Sequence, residues 1–181
     1  MAHINVPEGV PGIRSLVMFR PETGKPLYEL AQILLRNESP LTPAERELIA
    51  THVSSRNECM FCMSSHAAAA RELFGAERTL VDCVIEDINS APLTPKMKAL
   101  LNIAGKVQEN GKLVTPEDVA EARKHGAEDR DIHDTVLIAA TFSMFNRYVD
   151  GLASYTPTDP KAYEEMGKRM STLGYALPKP A

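Results

Sequence analysis

Apolar residues recur every three or four positions through most of the chain. Nowhere do apolar and polar residues alternate for long between turn signals. That pattern predicts helices and no strands, so the expected fold class is all-α. Helix starts are legible: Thr42-Pro43, Thr94-Pro95, Thr115-Pro116 and Asp159-Pro160 each place a capping oxygen directly before a proline, whose missing N–H costs nothing at the first helical position. Glu45 completes a capping box with Thr42, and Asp118 an acidic variant of it with Thr115. Gly75, Gly111, Gly126 and Gly174 fall where the periodicity runs out. Helices are therefore expected over 24–36, 43–56, 60–74, 77–88, 95–109, 116–125, 129–154 and 160–172. In the longest of these, Ile132, Val136, Ala139, Ala140, Ser143 and Tyr148 keep a helical period and suggest a nearly buried helix.

Residues 24–172 thus read as one helical domain. Residues 1–23 and 173–181, rich in Pro and Gly and poor in periodicity, read as an extended N-terminal arm and an extended C-terminal tail that either fray or lie over a neighbouring subunit. The segments starting at Leu41 and Leu93 both read Leu-Thr-Pro before turning helical. A duplicated two-helix unit would explain the echo; so would the general use of Thr-Pro to open helices.

At 181 residues the chain can bury a real core. With no Trp and 6% aromatics, that core must be mostly aliphatic residues, Ala and Met. A net charge of −4 with scattered Lys and Arg offers no basic stripe for nucleic acid. The start of the sequence lacks the basic-then-apolar pattern of a secretory signal, and no apolar run is long enough for a bilayer. Three cysteines, two of them three residues apart, do not make the framework of a small secreted disulfide protein; they fit a cytoplasmic chain whose thiols are catalytic, metal-binding or buried.

Chemistry is written most clearly in Cys59-Met60-Phe61-Cys62-Met63-Ser64-Ser65-His66. At about 100° per residue, Cys62 lies about 60° from Cys59 around a helix axis and His66 about 40° from Cys62, so the three share a stripe. A disulfide needs Cβ atoms roughly 3.5–4.5 Å apart, closer than the roughly 5–6 Å between helical neighbours. The pair therefore closes more readily with Cys59 at the N-cap or first turn, where amides also favour a thiolate. Lying nearer the helix start, Cys59 is expected to be the more exposed thiol. His66 can hold or relay the proton that Cys62 must lose. Two other readings stand beside this one: a metal site completed by Glu47 or His52, and two cysteines with no role. Cys83, among Val81, Val84, Ile85 and Ile88, reads as an inert core thiol. Glu47, in a charged first turn, reads on its own as a solvated residue; His52 is a secondary candidate that either faces the same pocket or satisfies a buried hydrogen bond. His3, His125 and His133 read as surface residues without partners, and Arg147 as an ion-pair partner of Asp150 or another carboxylate.

Taken together, Glu47, Cys59, Cys62 and His66 follow Glu-x11-Cys-x2-Cys-x3-His. This resembles the signature of the AhpD-like alkylhydroperoxidases, within the wider carboxymuconolactone decarboxylase group. The likeness is strongest from Leu41 to Val84, and Phe145–Leu152 (FNRYVDGL) is similar to the helix end of shorter peroxidase-related members. Phe61 departs from members that carry a histidine between the cysteines. The resemblance implies a multi-helix bundle assembled as a dimer, trimer or hexamer. It further implies that Cys62 attacks a peroxide, Cys59 resolves the product to a disulfide, Glu47 and His66 relay protons, and an outside dithiol resets the pair, with no cofactor or metal. A lyase of the decarboxylase branch is the competing function, but its chemistry needs a general base and no Cys-x-x-Cys. A metal-binding or structural module is the third.

Overall fold

A computed structural model describes residues 2–175; Met1 and 176–181, the end of the expected tail, lie outside the described residues. Among the described residues there are nine α-helices and no strand. They are α1 (Ile13–Phe19), α2 (Pro21–Arg36), α3 (Pro43–Arg56), α4 (Met60–Phe74), α5 (Thr79–Glu86), α6 (Pro95–Asn110), α7 (Pro116–Lys124), α8 (Asp129–Gly151) and α9 (Pro160–Leu173). The proline-led caps behave as their chemistry dictates: Thr42, Thr94, Thr115 and Asp159 each accept from a first-turn amide, and Thr42 and Thr115 form full capping boxes with Glu45 and Asp118. Both Leu-Thr-Pro segments open helices, α3 and α6, which pack against each other.

The centre of the bundle is α3, which meets α2, α4, α5, α6 and α8. Ten consecutive or near-consecutive residues of it are buried, from Ala44 and then Arg46 through Ser54. Several of its polar members are bonded, which offsets the cost of burying them. Arg46 donates to the carbonyls of Leu34 and Asn37 at 2.9 Å each, closing the end of α2. Thr51 donates to the Glu47 carbonyl, and Ser54 accepts from Asn146 of α8. Around this axis Leu48, Ile49, Val53, Leu100, Leu101, Ile103, Ile138 and Phe142 form the main core.

The N-terminal arm is not extended. Residues 13–19 form α1, whose start no side chain caps, so the usual signal was missing. Gly12 stands at φ +52° with the Phe61 ring so close that any Cβ there would overlap it, and its N–H donates to the Tyr155 carbonyl at 2.8 Å. The segment thereby joins a second apolar cluster on its own chain, in which Leu16, Val149, Met166 and Met170 enclose Cys59 and Cys62. α9 crosses α4 at Gly167, where a Cβ would meet the Ala68 backbone at 2.7 Å; only glycine allows that approach.

α8 differs from expectation in face and length. Its buried residues are Asp131, Thr135, Ile138, Ala139, Thr141, Phe142, Ser143, Phe145, Asn146 and Val149; Ala139 and Ser143 are buried as expected, whereas Ile132, Val136 and Tyr148 are half-buried and Ala140 is exposed. The helix ends at Gly151 rather than 154. Arg147 is exposed and donates to the Ser143 carbonyl, not to a carboxylate. Cys83 is half-buried at the edge of the main core rather than inside it. His125 and His133 are not without partners: His125 meets Glu121 at 2.8 Å and His133 meets Asp134 at 3.0 Å. No helix among the described residues is long and apolar enough to cross a membrane.

Candidate active site

Cys59 is the N-cap of α4, with an extended backbone, and Cys62 and His66 follow on the first two turns. The turn that delivers Cys59 is pinned from three helices. Asn57 donates to Asn146 of α8 at 2.8 Å and accepts from Gln108 of α6 at 2.8 Å. Cys59 N–H donates to the Ser54 carbonyl, and Glu58 takes a left-handed φ of 57° to make the corner.

Both cysteines are free thiols. Their exposure reverses the expected order: Cys59 is 0% exposed and Cys62 4%. The reason is α1 with its preceding segment, which the sequence left as an arm and which covers the helix start. Interaction with the Cys62 side chain, and after it burial, pushes the Cys59 thiol well up, so Cys59 keeps its proton. Cys62 instead lines a cavity of about 60 Å³, with His66 and walls that include Phe61, Phe142, Phe145 and Met166.

Behind His66 stands Glu47, 0% exposed and so not the solvated residue its charged neighbourhood suggests. Its Oε2 lies 2.7 Å from His66 Nδ1. Its Oε1 accepts from Arg36 Nη2 at 2.5 Å and from the Tyr175 hydroxyl at 2.6 Å. Burial pushes the Glu47 carboxyl up, but His66, Arg36 and Tyr175 together outweigh it and hold the group below its ordinary value. With an ionised carboxylate on Nδ1, the ring donates there and leaves Nε2 for proton exchange. Burial, then the Glu47 charge, pushes Tyr175 well above its ordinary value; it stays a hydroxyl and donates. Arg36 also stacks over the Tyr175 ring at 5.2 Å. Arg36 and Tyr175 were not foreseen. Arg36 reads as an ordinary helix-end cation, and Tyr175 falls in the expected tail, where Gly174 at φ +62° and a 2.7 Å bond from Tyr175 N–H to Gln32 turn it inward.

His52 does not join this site. It is buried on the α6 side of α3, its Nε2 without a hydrogen-bond partner among the described residues and 3.3 Å from where a Gly105 Cβ would stand. Burial first, then the Arg56 charge, lowers its pKa to about 4, against a weaker opposing effect of the Leu101 backbone. The unfolded chain takes up this proton near pH 6.5 and the folded one only near 4, so stability is full above about pH 6.5 and falls as the pH drops toward 4. The expected loss is about 3 kcal/mol. His52→Gln should flatten that limb of a urea-midpoint-against-pH profile; an unchanged profile would assign the loss elsewhere. Among the described residues no three His, Cys, Asp or Glu side chains are grouped to hold a metal ion.

The sequence profile of the carboxymuconolactone decarboxylase family matches residues 21–106. An uncharacterised peroxidase-related protein from Silicibacter sp. TM1040 is 30% identical, covering 86% of this chain and 79% of its own, with a TM-score of 0.77. Two further structures show the same fold. One is an uncharacterised peroxidase-related protein with an alkylhydroperoxidase AhpD core from Ralstonia eutropha JMP134, 24% identical, covering 92% of this chain and 96% of its own, at a TM-score of 0.81. The other is a protein of unknown function from Agrobacterium tumefaciens, 21% identical, covering 88% of this chain and 100% of its own, at 0.72. No curated protein matches the sequence. The chain belongs to the carboxymuconolactone decarboxylase family, and its fold is that of the alkylhydroperoxidase AhpD core.

Proposed function

We propose that the protein is a thiol-dependent peroxidase that reduces hydrogen peroxide or an organic hydroperoxide through Cys62 and Cys59. The observation that carries this reading is that Cys62 and His66 face one apolar cavity while Glu47 holds His66 from behind. His66 takes the Cys62 proton, and the thiolate attacks one peroxide oxygen. The O–O bond breaks, the sulfur becomes a sulfenic acid, and the departing alkoxide or hydroxide takes a proton from His66. The Cys59 thiol, losing its proton, then attacks the Cys62 sulfur; water leaves and a disulfide forms. An outside dithiol supplies the two electrons that return both thiols. Since Cys59 is the covered member, the dithiol enters at the Cys62 sulfur and expels Cys59.

The same reading places the protein in the cytoplasm, where reductants keep such thiols reduced, and makes it a homo-oligomer. Met18, Phe19 and Ile33, exposed on α1 and α2, supply apolar surface for that contact. The test is anaerobic thiol counting before and after one equivalent of peroxide. Two thiols should disappear, both in the Cys59–Cys62 peptide, while Cys83 stays reduced; loss of no thiol, or of Cys83, would refute the reading.

A further inference from the structure

The cavity beside Cys62 carries charges that peroxide chemistry does not use. Arg14 of α1 and Arg169 of α9 line it together with Tyr28 of α2, and no Asp or Glu does. Among the described residues neither guanidinium has an ion-pair or hydrogen-bond partner, and Arg169 Nε is fully buried without one. Arg36, by contrast, is matched by Glu47. Arg14, Arg169 and Tyr28 share this cavity wall: burial pushes the Tyr28 hydroxyl up, while Arg169 and Arg14 each favour an anion at its position. A partly desolvated cation without a counter-charge is costly, and a carboxylate offered there would find charge-assisted donors in a low-dielectric setting.

We propose that the substrate of this site is a small apolar hydroperoxide bearing a carboxylate. Arg14, Arg169 and Tyr28 hold the carboxylate, the aromatic and methionine walls take the hydrocarbon body, and the peroxide is presented to Cys62 and His66. The chemistry is that of the peroxidase reading, on which this inference rests, and the product is the corresponding hydroxy acid.

The test uses the full-length reduced protein and two matched probes, 3-hydroperoxy-3-methylbutanoate and its neutral amide. The acid should oxidise Cys62 about 10- to 100-fold faster than the amide, as expected for one or two charge-assisted contacts. That ratio should fall toward one in Arg14→Gln/Arg169→Gln and be partly kept in Arg14→Lys/Arg169→Lys. The unreactive 3-hydroxy-3-methylbutanoate should slow iodoacetamide alkylation of Cys62 in the wild type and not in the double Gln variant. Equal rates for acid and amide, or a ratio untouched by the double Gln variant, would overturn the proposal. Protection by the hydroxy acid with no oxidation by either peroxide would leave the anion site standing and remove the peroxidase reading. Oxidation by both at one rate, without protection, would do the reverse.

Discussion

Cys62→Ser should abolish reaction with peroxide, whereas Cys59→Ser should consume one equivalent and stall as a sulfenic acid that a dimedone-type reagent traps. The asymmetry follows from position. Cys62 lines the cavity one turn from His66, and its proton has a path to the His66–Glu47 pair. Cys59 is fully covered, and both its neighbour and its burial hold it protonated, which suits a thiol that acts second, when the sulfenic acid has formed beside it. Position at a helix N-terminus does not discriminate, since both thiols lie in the first turn. Stopped-flow loss of peroxide with mass spectrometry of the trapped adduct reads both variants at once. If Cys62→Ser were the variant that traps, the cavity-facing thiol would not be the nucleophile and the relay would serve another step.

Most of the helical framework was legible because this chain marks its helices with local chemistry. α3 begins at its Thr42-Pro43 cap and α4 ends at Gly75, as those signals say they should. α1 was illegible for the converse reason: Gly12 offers no capping oxygen, and seven residues are too few for a periodicity to stand out. The buried face of α8 was only partly legible, through Ala139 and Ser143, because half of its ten buried residues are polar. Asp131 pairs with Lys96 and Asn146 is bonded to Ser54 and Asn57, while the Thr135 hydroxyl is buried without a partner among the described residues. A hydrophobic count cannot find a face that is half polar.

The same limit governed the site. Cys59, Cys62 and His66 are local on one helix, so their spacing alone places them. Glu47 sits in a run of Glu45, Arg46 and Glu47 that looks like one solvated turn, yet the three have separate tasks: the first caps, the second ties down α2, and the third holds His66. Only its match to the motif singled it out beforehand. Tyr175 and Arg36, which complete the carboxylate's shell, approach from 128 and 11 residues away in sequence, and nothing short-range announces them.

That shell makes Glu47→Gln the second large effect. The substitution keeps the shape but removes a fully buried charge that faces Arg36 and His66. Breaking such a pair from one side leaves the Arg36 cation without its counter-charge and should cost about 3 kcal/mol of stability. The Gln amide can also present an N–H to Nδ1, which would turn the ring to the tautomer with its proton on Nε2, the nitrogen needed as acceptor. First-turnover oxidation of Cys62 should then slow by about 100-fold or more. Acid sensitivity supplies an independent reading. The folded Glu47 carboxyl sits below its ordinary value, so its contribution is complete above about pH 4.5 and is lost as the pH falls through the lower folded value. Glu47→Gln should remove this limb while leaving the His52 limb between about pH 6.5 and 4 in place. A variant that loses stability but oxidises Cys62 at the wild-type rate, with an unshifted pH profile for the thiol, would make Glu47 a structural anion and nothing more.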